Sequence, residues 1–138
     1  MIGLDTNVLV RYLAQDEVRQ AALATRLVER QLSAAQPGFV SLVVLAELCW
    51  VLKRLYGASL AELVETVEDL LGLPQFHLER REVVRAAVAQ AKGTKGTKSG
   101  KSGFVDAIIS ALSQAEGCSH TLTFDKGAAR SAGMKLLA

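Results

Sequence analysis

Cysteine and histidine are scarce in this 138-residue chain, with two of each. Cys49 and Cys118 form no CxxC pair, and His77 and His120 stand apart from them and from each other. A thiolate or imidazole metal cluster and a disulfide framework therefore both lack their spacing. Both cysteines lie in apolar, helix-like contexts and are expected as buried free thiols. The two histidines are expected in or beside strands, as core or surface residues and not as ligands. Net charge is small as well, at +2, so any attraction to nucleic acid has to come from a local patch. Long hydrophobic runs are missing: the uncharged apolar stretches fall far short of the ~20 residues that cross a bilayer. Met1-Ile2-Gly3-Leu4-Asp5 has neither the basic n-region nor the apolar h-region of a signal peptide. The expectation is a cytoplasmic protein with no membrane association. Half of the residues are hydrophobic and 22% are charged, which describes a globular chain. Its length fits one domain over residues 1–138, enough to bury roughly two thirds of its unfolded surface.

What the chain does contain is four conspicuous acids. Asp5, Glu47, Asp106 and Asp125 are each the only acid of an apolar stretch, over residues 2–10, 42–52, 104–112 and 122–125. No Lys or Arg falls within 42–52 or 104–112. An ionised carboxylate withdrawn from water has to shift its pKa, find a hydrogen-bonded cation or coordinate a metal. Acids that share a pocket suit a hard divalent cation, since Mg²⁺ and Mn²⁺ prefer oxygen ligands and offset the like-charge repulsion. Helix capping competes with this reading at Asp5, which precedes Thr6-Asn7-Val8, and at Asp125, which precedes Lys126-Gly127-Ala128. Glu47 lies too far inside a helical run to be a cap. Asp106 is intermediate, with Ser102 as a plausible N-cap that leaves it in the first or second turn.

The order of elements is an alternation of strands and helices. Residues 1–4 read as a short buried strand that delivers Asp5 at its carboxyl end. Residues 19–33 carry Ala22, Leu23, Leu27 and Val28 at helical spacing. Gly38-Phe39-Val40 is a second strand, and Ser41 opens an apolar helix that Gly57 stops. Ser59 and Glu62 have capping-box spacing before a helix with Leu60, Leu63, Val64, Val67 and Leu71 on one face, and Pro74 bars its continuation. Phe76-His77-Leu78 is a third strand, followed by a helix over 81–92, a loop, and the Asp106 helix over about 102–116. A strand over 120–124, a short helix over 126–131 and an edge strand over 135–137 complete the chain. Short, fully apolar strands separated by helices imply a parallel sheet covered on both faces. In such sheets a ligand site lies beyond the carboxyl ends of the strands, where Asp5 and Asp125 emerge.

Four segments carry a resemblance. Ile2-Gly3-Leu4-Asp5-Thr6-Asn7, Ser41-Leu42-Val43-Val44-Leu45-Ala46-Glu47, Gly103-Phe104-Val105-Asp106 and Thr121-Leu122-Thr123-Phe124-Asp125 resemble the four acidic motifs of the PIN domain. The single-domain form is similar to the VapC-type toxins of bacterial toxin–antitoxin pairs. The resemblance implies an α/β fold of three layers, α/β/α, with a central twisted parallel sheet flanked by helices. It also implies a Mg²⁺- or Mn²⁺-dependent ribonuclease, a homodimer, and a small VapB-like antitoxin that blocks the site. By motif match, Asp5, Glu47, Asp106 and Asp125 would be the catalytic metal-binding acids, with Thr6, Asn7 and Thr123 as supporting pocket residues. Gly103 departs from the pattern, because the family often carries a further acid there.

Hydrolysis of a phosphodiester needs an activated water, relief of charge on the phosphoryl oxygens and a stabilised leaving oxygen, which a carboxylate-bound divalent ion can supply. No His or Cys nucleophile is required. Immediately before the Asp106 motif, Lys92, Lys95, Lys98 and Lys101 recur every third residue on a Gly/Ser/Thr background. The composition of 92–103 is that of a flexible solvated loop, and Lys95, Lys98 and Lys101 are candidate RNA phosphate contacts. Residues 96–102 fall one residue short of a P-loop and follow a helix instead of a strand, so a nucleotide cradle lacks its scaffold. The apolar faces of the helices over 42–55, 59–72 and 83–91 leave room for an antitoxin groove and a second protomer. Two other readings stand beside the toxin: a PIN-like nuclease in RNA processing or on single-stranded DNA, and a non-catalytic binding module whose acids are caps or receive a partner's Arg.

Overall fold

Among the described residues, every strand pairs in parallel with its neighbour. The computed structural model describes residues 1–93 and 103–137. The chain divides into two units, one of Met1–Ala58 with Asp69–Glu79 and one of Ser59–Glu68 with Arg80–Ala138. Helices and parallel strands alternate throughout, the α/β/α order of a PIN-like fold, and the sheet is present as one parallel sheet in each unit.

In the first unit, β1 (Ile2–Gly3), β2 (Gly38–Val40) and β3 (Phe76–Leu78) form a sheet in the order β1-β2-β3. Gly3 faces Phe39, and Val40 faces Leu78. The ladder continues past the strands, with Leu4 N donating to Phe39 O at 3.0 Å and Glu79 N to Val40 O at 2.9 Å. Extending that register two steps past β1 and one step past β2 and β3 brings Asp5, Ser41 and Glu79 to a common level at the carboxyl edge. Gly38 lets the sheet close on its cover, since a Cβ there would sit 2.6 Å from Leu4 Cδ1 and 3.0 Å from Leu32 Cδ1.

Three helices dress this sheet: α1 (Thr6–Ala14), α2 (Val18–Arg26) and α3 (Leu42–Tyr56). Leu9, Leu45, Leu48, Val40, Phe76 and Leu78 are among its most deeply buried large side chains. Gly57 ends α3 in the left-handed conformation, φ 66°, as its position in the sequence predicts. The helix expected over 19–33 is different in detail. Its α-helical part stops at Arg26 and Leu27–Gln31 is a π-helical turn. The inward face is Ala21, Ala24 and Val28, at ordinary helical spacing but one step round from the face expected, and Leu23, expected inside, is 59% exposed.

In the second unit, α5 (Arg81–Gly93) packs on α6 (Phe104–Ala115) through Val84, Ala87, Phe104 and Ile108. The helix α4 (Leu60–Gly72) begins in this unit with the expected capping box, Ser59 N to Glu62 Oε1 at 3.0 Å and Glu62 N to Ser59 Oγ at 3.1 Å. β4 (Leu122–Thr123) and β5 (Lys135–Leu136) pair in parallel across α7 (Lys126–Ser131), whose Ala128 packs with Ala132 and Met134.

Three expectations need correction here. α6 starts at Phe104 with Gly103, not Ser102, in the N-cap position, extended at φ −72° and ψ 167°. Gly93, expected in the lysine loop, belongs to the last turn of α5, while Lys92 lies in that helix as expected over 81–92 and its Nζ is 2.6 Å from Glu68 Oε2. Cys49 is buried as expected, but Cys118 is exposed, because Gly117, φ 95°, has already turned the chain out of α6. Lys95, Lys98 and Lys101, the near P-loop and Ser102 lie outside the described residues.

Candidate functional site

The acid motifs fall at helix beginnings and on one exposed helix face. In the first unit, Asp5 caps α1: its Oδ1 accepts a hydrogen bond from Thr6 N at 2.8 Å. The capping role is therefore real, and it uses one carboxylate oxygen. Asp5 is exposed, and its Oδ2 has no partner among the described residues. Beside it, Thr6 is 5% exposed and its Oγ1 is buried without a hydrogen-bond partner. A buried hydroxyl left unpaired costs on the order of 1–3 kcal/mol, so it marks a place where a water or ligand completes the structure. Asn7 is exposed and lines a cavity of about 270 Å³ between α1 and α2 with Arg11, Gln20 and Leu23.

Glu47 is the sixth residue of α3. Its neighbours Leu45 and Leu48 are buried while Glu47 is exposed, so the apolar stretch around it is the other face of an amphipathic helix. It makes no hydrogen bond or ion pair among the described residues. Two side chains fix the turn from which it extends. Ser41 Oγ accepts from Val44 N at 3.1 Å, and Glu79 Oε1 accepts from Leu42 N at 2.8 Å. Sequence reasoning missed Glu79. The available signal was the one used for Asp5, an acid immediately following an apolar strand.

In the second unit, Asp106 is the third residue of α6 and half-buried, in a turn whose Phe104 and Ala107 are buried. Asp125 caps α7 through Oδ1, which accepts from Gly127 N at 2.7 Å and Ala128 N at 3.3 Å. Thr123 Oγ1 in turn accepts from Asp125 N at 3.0 Å. Thr123 is thus a positioning residue for Asp125, and Asp125 is exposed with Oδ2 unpartnered among the described residues.

Asp5, Glu47 and Asp125 are in water and Asp106 is half-buried, so desolvation does not single them out. Among the described residues, no three His, Cys, Asp or Glu side chains within either unit gather closely enough to hold a metal ion. The donor types nonetheless suit a hard divalent cation. In the first unit Asp5 and Glu47 each keep a carboxylate oxygen unshared and the orphan hydroxyl of Thr6 adds another oxygen donor; in the second, Asp125 keeps its Oδ2 unshared. Thiol chemistry has no support at Cys49, whose pKa burial pushes up to about 12. No helix among the described residues is long and apolar enough to cross a membrane.

A search of the curated proteins finds no match for the chain. The family model of the PIN domain matches residues 2–134. PIN domains are typically nucleases that use divalent metal ions, and the match spans all four acid motifs. With that coverage and the alternation of helices and parallel strands, the chain belongs to the PIN domain family.

Proposed function

We propose that this chain is a metal-dependent endoribonuclease, a single PIN domain over residues 1–138 that serves in the cytoplasm as the VapC-type toxin of a toxin–antitoxin pair. The observation that carries the reading is the state of Asp5: one oxygen spent on capping α1, the other unshared, next to the unpaired hydroxyl of Thr6. Asp5 and Asp106 are the most direct ligands of Mg²⁺ or Mn²⁺, and Glu47 and Asp125 complete the set or hold bound waters. Such a cation, when bound, supplies Lewis acidity and an acidified water. The chain's own residues do the positioning. Ser41 and Glu79 fix the turn ahead of Glu47, and Thr123 fixes Asp125.

Lys95, Lys98 and Lys101 contribute phosphate contacts that offset the negative field of the acids. Replacing all three with Ser should weaken RNA binding at low salt and flatten its salt dependence, at about 0.7 in log–log slope per lost phosphate contact on a single strand. A VapB-like antitoxin and a second copy of the chain are the protein partners, to be sought by co-purification and sedimentation. The test of the activity is cleavage of single-stranded RNA after chelation and add-back of Mg²⁺ or Mn²⁺, with single-stranded DNA in parallel. Restored RNA cleavage supports the reading. Cleavage of DNA alone moves it to a DNA-directed PIN nuclease, and no cleavage of either substrate refutes it.

A further inference from the structure

Trp50 is the chain's single tryptophan, and it is 57% exposed. It lies on α3 one turn beyond Glu47. Positions 43, 47, 50 and 54 recur at spacings of four, three and four, so Val43, Glu47, Trp50 and Arg54 share one side of the helix, opposite the buried Leu45, Leu48, Cys49 and Leu52. The guanidinium of Arg54 lies over the Trp50 ring with Cζ 5.3 Å from its centroid. Neither Arg54 nor the adjacent Lys53 pairs with a carboxylate among the described residues. Along the helix axis Trp50 is ~5 Å and Arg54 ~10 Å from Glu47.

We infer that Trp50 and Arg54 form a stacking platform for a base of single-stranded RNA, with Arg54 and Lys53 meeting the flanking phosphates. The inference rests on the ribonuclease reading and assigns to it a substrate-binding surface on α3. An exposed indole oriented by a cation offers a flat π surface that any base can cover, and the pair lies on the same side of α3 as Glu47. Lys53 and Arg54 also complement the carboxyl end of the helix dipole, but that role makes no demand for an aromatic beside them. A protein partner is the less favoured occupant. Covering this face with apolar surface would strip water from the Arg54 guanidinium with no acid to receive it, whereas a phosphodiester supplies the missing anion.

The single tryptophan makes the test direct, since tryptophan emission, excited selectively over Tyr12 and Tyr56, reports on Trp50 alone. Titration of the full chain with a single-stranded RNA oligomer, in chelator so that no cleavage occurs, should quench that emission. Anisotropy of labelled RNA should show Trp50→Ala weakening binding by about 5- to 150-fold, the range for loss of one stacked base. Trp50→Phe should recover much of the loss, and Arg54→Gln should lower both affinity and salt dependence. Unchanged emission on RNA addition, together with unchanged affinity of Trp50→Ala, overturns the inference. So does emission that follows protein concentration and not RNA, with Trp50→Ala shifting a dimer to monomer, because that makes this face a contact between copies. If the wild type cleaves RNA while its emission stays fixed, the platform is refuted and the nuclease stands. If RNA quenches Trp50 and no metal restores cleavage, the platform stands and the nuclease falls.

Discussion

Removing the carboxylate of Glu79 should loosen the helix that carries Glu47, although the two residues are 32 positions apart in sequence. Glu79 Oε1 receives the Leu42 N–H at 2.8 Å, and Ser41 Oγ receives that of Val44 at 3.1 Å. Together they satisfy two of the four N–H groups that the first turn of α3 leaves unpaired. A hydrogen bond to a charged group contributes about 1.5–3 kcal/mol, and the favourable field of a carboxylate at a helix amino end about 0.3–1 kcal/mol of stability. Glu79→Ala should therefore cost about 1.5–3 kcal/mol. Glu79→Gln keeps an acceptor and loses the charge, so its cost should stay below about 1 kcal/mol. Ser41→Ala should cost about 1 kcal/mol. At about 4 °C per kcal/mol for a chain of this size, Glu79→Ala lowers Tm by roughly 6–12 °C and Glu79→Gln by less than about 4 °C. Urea and thermal denaturation at pH 7 measure both. Glu79→Ala within about 0.5 kcal/mol of wild type, the range of an ordinary surface substitution, would refute the account, as would a Gln variant as damaging as the Ala one.

Two further outcomes follow from local chemistry. The Tyr56 hydroxyl donates to Asp16 Oδ2 at 2.7 Å, and this bond, with Arg11 nearby, holds the Asp16 carboxyl below its ordinary value. A carboxyl lowered in the folded state stabilises at pH values above its unfolded pKa, and that contribution is lost as pH falls through the folded pKa. Tyr56→Phe should accordingly lower Tm at pH 7, and the difference from wild type should shrink as pH falls through the lowered titration of Asp16; a pH-independent difference contradicts the assignment. Thiol titration should find one reactive group, Cys118, in the native protein. Cys49, buried and pushed to about 12, should react only on denaturation, since at pH 8 about one part in ten thousand of it is thiolate; two fast thiols in the native state would show the burial to be wrong.

The strands were legible to within a residue or two because Gly38-Phe39-Val40 and Phe76-His77-Leu78 are short apolar runs bounded by turn residues; their full cover was not borne out, since Ile2 and Gly3 of β1, expected buried, are exposed, as is His77 of β3. The caps of α1, α3, α4 and α7 were legible for a similar reason: Asp5, Ser41, Ser59 and Asp125 act on N–H groups within three residues. What escaped was anything set at longer range or by a change of helical period. The π turn at Leu27–Gln31 was not anticipated, because a count at 3.6 residues per turn assumes a constant period. Glu79 caps a helix that begins 37 residues earlier, a relation created by the parallel pairing of β2 with β3. The apolar setting of the acids also had a simpler cause than desolvation. Leu48 is buried while Glu47 beside it faces water, so the four residues were found through their position in the elements and not through burial.

Asp5→Asn separates the two roles of the residue most directly. Asparagine is as good an N-cap as aspartate, so its side-chain oxygen can still accept from Thr6 N while the charge that would bind a cation is gone. The decisive measurement is RNA cleavage, alongside Tm, of wild type and Asp5→Asn in chelator and with Mn²⁺ restored. The account predicts equal Tm in chelator to within about 0.5 kcal/mol. With Mn²⁺ at 100 times its dissociation constant, wild type should gain about 2.7 kcal/mol, or roughly 10 °C, and cleave RNA, while Asp5→Asn should gain little and cleave none. Full cleavage by Asp5→Asn with Mn²⁺ present would contradict the account, and would leave Asp5 as a helix cap alone.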